Sequence, residues 1–268
     1  MESNSRYRLI SCNVFQRELA IALASTPNLI DPEFLELGLH ERPDELRAAV
    51  QARIDQWSGP EAIAGSGGGR GRAYDAILLG YGLCGNGLAG IEARDIPLVI
   101  PRAHDCCTLL LGSRREFLAR FGENLSAPWS SAGYAERGTS GFRSSDGGRS
   151  AGIGRSYEDL VAEFGEENAD YVWETLHPEA HDPILRFIEI PETAGLGHAE
   201  TMRARARAEG REFLLIPGSM RLLRALVEGG WNAEDFLVIP PGQRLEPTYD
   251  HDKVFVAGRD EGGETTNA

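Results

Sequence analysis

The chain has 268 residues, 41% of them hydrophobic and 8% aromatic, enough to bury a substantial core without disulfide staples. Its formal net charge of -14, with no basic tail or stripe, excludes a nucleic-acid backbone and an anionic membrane surface as partners. The opening MESNSRYRLISCNV lacks the apolar run of a signal h-region and no later stretch reaches the roughly 20 apolar residues of a membrane span, so a cytoplasmic location is expected.

In chain order, YRLISC (Tyr7–Cys12) predicts a buried strand, QRELAIALAS a helix, EFLELGLH a strand ending at His40, and ERPDELRAAVQARIDQW a helix. Pro43 falls near the first turn of that helix, where its missing N–H costs nothing, and Asp44 and Glu45 suit the positive end of the dipole. The Gly-rich connection GPEAIAGSGGGRGRA leads to a strand in YDAILLGYG, then IPLVIP is a fourth strand and TLLLGSRREFLARF a helix. Residues 126–155, poor in aliphatic side chains and rich in Gly and Ser, predict a long loop or mobile flap. A capping box at Ser156–Asp159 opens a helix through EDLVAEFGEENADYVWETL. ILRFIEI, REFLLIPGS and DFLVIPPGQ follow as strands, with helices in AETMRARARAEG, ended by Gly210, and MRLLRALVEGG.

Apolar strands alternating with helices specify an α/β fold: a layered, mainly parallel sheet of about five to seven strands, flanked by helices. RLISCNVFQREL, DAILLGYGLCGNGL and EFLLIPGSMRLL each read as strand, small-residue turn and helix, which suggests repeated units. The expected organisation is a single domain over 1–258, with the flap at about 126–155 and a frayed polar tail over 259–268.

The polar residues fall in a less generic pattern. Cys12, His40, Cys84 and the group His104, Asp105 and Cys106 all lie at predicted carboxyl ends of strands, which share one edge in a parallel sheet, the edge at which such sheets bind ligands. Cys12, Cys84 and Cys106 each precede a predicted helix, whose dipole favours a thiolate as nucleophile or metal ligand. With His104 they could bind zinc, and as three cysteines an iron–sulfur cluster with one iron open to substrate. Against this, lone cysteines are most often buried filler, and the spacing matches no CxxC pattern. Cys107 is expected in the core.

Arg102 could grip an anionic substrate or form a salt bridge to Asp105 or Glu18. Asp105 could orient His104 or cap the helix, and His40 could be a ligand, a general base or a hydrogen-bonded structural histidine. GYGLCGNG, with Gly85 and Asn86, fits neither G-x-G-x-x-G nor a P-loop, which leaves a backbone nest for an anionic group. Pro217-Gly218-Ser219 is no nucleophile elbow, and Ser219 reads as a helix cap.

The stretches ISCNVFQREL, LGLHERPDELRAAV, YDAILLGYGLCGNGLAGI and LVIPRAHDCCTLLLGSR resemble the motifs of a family catalogued as domain of unknown function 1638, from Tyr7 to about Gln243. The resemblance implies that Cys12, Glu18, His40, Cys84, Asn86, Arg102, His104, Asp105 and Cys106 belong to the family pattern. Asn13 departs from it, standing where such proteins often have Gly. Members often lie near genes for corrinoid-dependent methyltransferases, so the resemblance also suggests a link to one-carbon metabolism.

The leading expectation is a metal-dependent enzyme, a transferase or lyase, with Cys12, Cys84 and Cys106 holding zinc or an iron–sulfur cluster and acting on a small-molecule substrate, for which an anionic group is one option. Two alternatives are an accessory or small-molecule-binding protein serving a corrinoid protein, and a metal-free thiol enzyme using Cys106 with His104.

Overall fold

The structure is a computed structural model that describes residues 4–58, 74–122, 124, 127–137, 161, 162, 165, 169, 182–248 and 253–258. Its elements begin with β1 (Arg6–Cys12), a 3₁₀ turn (Asn13–Phe15), α1 (Gln16–Ser25), β2 (Leu29–Leu35), a 3₁₀ turn (Leu39–Glu41) and α2 (Pro43–Ser58). Then come β3 (Ala76–Gly80), β4 (Leu98–Pro101), α3 (Cys106–Leu111), α4 (Arg114–Phe121), β5 (Trp129–Ser131), α5 (Ala132–Arg137) and β6 (Ile184–Glu189). A 3₁₀ turn (Pro191–Leu196), α6 (His198–Ala208), β7 (Glu212–Pro217), α7 (Arg221–Glu228), β8 (Phe236–Ile239), β9 (Arg244–Pro247) and β10 (Phe255–Gly258) complete the order.

The strands form a five-stranded sheet in the order β2-β1-β3-β4-β8, parallel except for β8, and a second, wholly parallel sheet in the order β5-β6-β7. β9 and β10 add an antiparallel ribbon. The architecture is thus the expected mixed α/β fold with a mainly parallel sheet flanked by helices. Every residue of β3 and β4 is buried, as strands covered on both faces require. Successive residues of β1 point to opposite faces: Tyr7 packs on Trp231 beyond α7 (ring centroids 5.2 Å apart), and the Arg8 guanidinium lies 4.0 Å from the Trp57 ring centroid of α2. α7 and α2 therefore cover the two faces. No helix among the described residues is long and apolar enough to cross a membrane.

Several elements differ from the sequence reading for identifiable reasons. β2 begins at Leu29 and runs through Pro32, which faces Leu9 in the ladder. A proline is tolerated there because β2 is an edge strand whose outer side makes no ladder bonds. His40 consequently lies on the turn beyond the strand. The single helix expected over TLLLGSRREFLARF is two, because Gly112 turns left-handed (φ 79°) and Ser113 starts afresh, its Oγ accepting from the Glu116 N–H at 3.1 Å. Of the three strand-turn-helix segments, the first and third have that form. The second passes from β3 into successive turns over 84–90 instead of a helix.

Residues 127–137, expected to begin a flap, form β5 and α5 with Trp129, Ser130, Ser131 and Tyr134 buried. The rest of that expected flap, most of the helix expected after Ser156, and the expected tail lie outside the described residues.

The two sheets meet through their carboxyl edges. β7 leads into Gly218 and Ser219, and the Ser219 N–H donates to the Leu110 carbonyl of α3 at 2.8 Å. β5 leads into α5, where Gly133 lies so close to the Val14 carbonyl that a Cβ would collide with it. One hydrophobic cluster joins β3 and β4 to Trp129, Tyr134, Ile188, Ile216 and Met220. Leu185, Phe187, Ala199, Met202 and Ala206 form a smaller cluster involving β6 and α6. The obstructing atom at Gly133 is backbone and cannot swing aside, so Gly133→Ala is expected to lower unfolding free energy by about 1–3 kcal/mol in a denaturant titration. Parent-like stability would show that the two edges are not in close contact.

Candidate functional site

The order β2-β1-β3 sends the chain from β1 to one side and then back across to the other, which opens a crevice beyond the carboxyl ends of β1 and β3. Cys12 is the last residue of β1, Cys84 lies four residues beyond β3, and His104, Asp105 and Cys106 occupy the passage from β4 into α3. His40 follows β2 on the same edge. Cys12, Cys84 and Cys106 retain 8%, 6% and 7% exposure, whereas Cys107 has none and belongs to the core. All four are free thiols.

Backbone bonds hold the rim loops together. The Leu83 and Cys84 N–H groups donate to the carbonyls of Ala103 (2.8 Å) and His104 (2.9 Å), and Gly82 admits this pairing because a Cβ there would come within 2.7 Å of the Asp105 nitrogen. Cys84, Gly85 and Asn86 all have positive φ (50°, 62° and 66°), a conformation that strains the two non-glycine residues. Gly85 and Asn86 are exposed, and the Asn86 carbonyl accepts from Arg47 Nη2 at 3.4 Å. Asn13 contributes its side chain, Oδ1 accepting from the Leu37 N–H at 2.9 Å and tying the loop after β1 to the one that carries His40.

The charged candidates divide. Asp105 caps α3, Oδ1 accepting from the Thr108 N–H at 3.3 Å. Arg102 donates to three main-chain carbonyls, Ala233 at 3.0 Å and Lys253 and Phe255 at 2.6 Å each, so the structure shows it anchoring β10 and the segment before β8. Burial, with Arg114 nearby, lowers its pKa. Glu18, in the first turn of α1, is buried with no partner for Oε2. Burial raises its pKa, and the negative charges of Glu136 and Glu192 add to the effect, which its own backbone N–H and Arg17 oppose.

Two phenols complete the rim, and neither stood out in the sequence. Tyr134 Oη lies 3.2 Å from Cys106 Sγ, the ring held edge-on by Trp129 at a centroid distance of 5.1 Å. It sits within a Gly/Ser-rich stretch, where Trp129 and Tyr134 were the only signs of an anchored segment. Tyr81 looked like strand filler. Its hydroxyl is buried without a hydrogen-bond partner, and burial raises its pKa well above the usual value, helped by the nearby Cys12, Cys84 and Glu33. The Cys12 thiol is pushed up to about 12 by burial and then by the charge of Cys106, with the Val14 N–H and Arg137 opposing. At neutral pH Cys12 is therefore a thiol. Among the described residues, no three His, Cys, Asp or Glu side chains form a group that could hold a metal ion.

Fold and rim together define a parallel α/β protein whose sheet edge carries thiols beside phenols. The chain belongs to the protein family of unknown function DUF1638, whose model matches residues 34–227. That span includes His40, Cys84, Asn86, Arg102, His104, Asp105, Cys106 and Tyr134, and leaves Cys12 and Glu18 outside it. No curated protein and no solved structure matches the chain.

The buried carboxyl gives a test with a definite sign. The folded pKa of Glu18 is raised, so the folded state is least penalised below the ordinary carboxylate range and loses stability as pH climbs through it. Glu18→Gln should therefore melt progressively above the parent as pH rises from 4 to 8 in scanning calorimetry. A gap independent of pH would show that Glu18 titrates normally.

Proposed function

We propose that this protein is a thiol-dependent enzyme that acts on a small molecule at the crevice between the two sheets, with Cys106 as nucleophile. The observation that carries this reading is the 3.2 Å contact between Cys106 Sγ and the buried Tyr134 hydroxyl. A phenol donating to a thiolate stabilises its charge without supplying a full countercharge, and in a buried site that bond is strong. His104, in the loop that leads to Cys106, is the base that takes the thiol proton. The Cys106 sulfur attacks an electrophilic carbon, an S–C bond forms, and the leaving group departs with the electrons of the broken bond. The proton held by His104 then passes to the leaving group. Alkyl transfer, including the methyl transfer that the family resemblance suggests, is one displacement of this kind, and a corrinoid protein would then be the methyl donor.

Iodoacetamide labelling with peptide mapping tests this. Cys106 should be modified before Cys12, and Cys107 should be spared. Hydrogen bonds to charged groups contribute about 1.5–3 kcal/mol, so Tyr134→Phe should raise the pH midpoint of Cys106 labelling by about one to two units. First labelling at Cys107, or a midpoint indifferent to Tyr134, would rule the reading out.

Metal binding by Cys12, Cys84 and Cys106 is the second reading, favoured by the placement of all three thiols at the carboxyl ends of adjacent parallel strands. It requires the three to draw together on metal uptake. Protein purified without oxygen should then contain zinc or iron by elemental analysis and lose it in Cys106→Ser while Cys107→Ser keeps it. Equal metal content in all three proteins would eliminate a site at these cysteines.

A further inference from the structure

The anionic contact expected of Arg102 has another candidate. A pocket of about 440 Å³ opens between α1, α5 and the turn over 191–196, lined in part by Gln16, Arg17, Ile21, Arg137, Glu192 and Leu196. Its size suits a small molecule, and Ile21 and Leu196 give it apolar wall beside the polar groups.

We propose that the substrate of the Cys106 site carries an anionic group, a carboxylate or a phosphate, that seats against Arg137 in this pocket, with Arg17 beside it. The role rests on the thiol reading, and three observations carry it. Tyr134 and Arg137 are three residues apart on α5, so they share a face, and the phenol that touches Cys106 lies one turn from the guanidinium that lines the pocket. The pocket thus lies one helical turn from the residue that touches the thiol.

Local charge runs against that of the chain. Arg17 pairs with Glu136 at 2.6 Å and Glu192 with Arg224 at 2.8 Å, whereas Arg137 donates to the neutral amide of Gln16 at 3.0 Å. The charged side chains that line the pocket, Arg17, Arg137 and Glu192, sum to one positive charge on a chain of formal net charge -14. The field of Arg137 also reaches the rim, since it opposes the rise in the Cys12 pKa. Finally, an anion at Arg137 would meet α1, which follows β1 of one sheet, and α5, which follows β5 of the other.

The test compares two alkylating reagents of similar size, anionic iodoacetate and neutral iodoacetamide, on the full chain, with modification of Cys106 followed by peptide mapping. The ratio of the iodoacetate rate to the iodoacetamide rate should fall about threefold or more in Arg137→Gln, the scale of a partly screened charge within about a Debye length, and should persist in Arg137→Lys. A ratio unchanged in Arg137→Gln overturns the anion site, including the case in which both rates collapse together because the fold is disturbed. Failure of Cys106 in the parent to react with either reagent overturns the thiol reading itself, a distinct outcome.

Discussion

Two parallel sheets pressed together by their carboxyl edges create the site, and the approach of Gly133 to the Val14 carbonyl makes that contact possible. A parallel sheet gathers the loops after its strands on one edge, with helix starts beside them. When the edges of two such sheets meet, the loops of each wall off the other from water. Here the turn after β1, which follows Cys12, is met by the start of α5, and the start of α5 delivers Tyr134 to Cys106. At the other end, Gly218 fits against the Leu110 carbonyl of α3, the helix that Cys106 begins. Small residues at both contacts let backbone approach backbone, and the polar side chains between them lose water.

That loss of water explains the chemistry of the rim. Tyr81 Oη, Ser131 Oγ, Thr108 Oγ1 and Glu18 Oε2 are buried without hydrogen-bond partners among the described residues, each at a cost of about 1–3 kcal/mol. Native folds keep few such groups, and those they keep tend to mark places where function, not stability, set the residue. The same burial keeps Cys12 and Tyr81 protonated, so the rim holds neutral thiol and phenol groups near the Cys106–Tyr134 contact. A desolvated site of this kind strengthens every charge that develops in it during a reaction.

How legible all this was in the sequence depends on whether the signal is local. The strands around β1, β3 and β4, and the gathering of Cys12, Cys84 and Cys106 on one edge, follow from short apolar runs and from the geometry of parallel sheets. The edge character of β2 was hidden, because Pro32 argues against a strand unless the neighbouring order is known. α5 was hidden for a different reason: Gly133 looks like loop composition and is in fact a requirement of close packing with a segment far away in the chain. Tyr134 could be recognised as part of the site only once that packing was known. Turns over 84–90 replaced an expected helix because Cys84, Gly85 and Asn86 take left-handed conformations, which residue type favours at Gly85 and Asn86 but not at Cys84.

The arginines show why residue type is weaker information than position. Arg102 stands in the most conspicuous cluster of the sequence, yet it donates to three carbonyls that tie β10 and the segment before β8 to the end of β4. Guanidinium suits that task, since its fork of donors can serve several carbonyls at once and its charge does not switch off. An anion drawn to it would have to compete with those three bonds, and a surface ion pair contributes little toward breaking them. Arg137 gives up little by comparison, for its hydrogen bond is to a neutral side chain at the mouth of a pocket. A cation held by a neutral partner can exchange it more readily than one committed to several carbonyls, and that difference in commitment, more than the presence of charge, separates the two arginines.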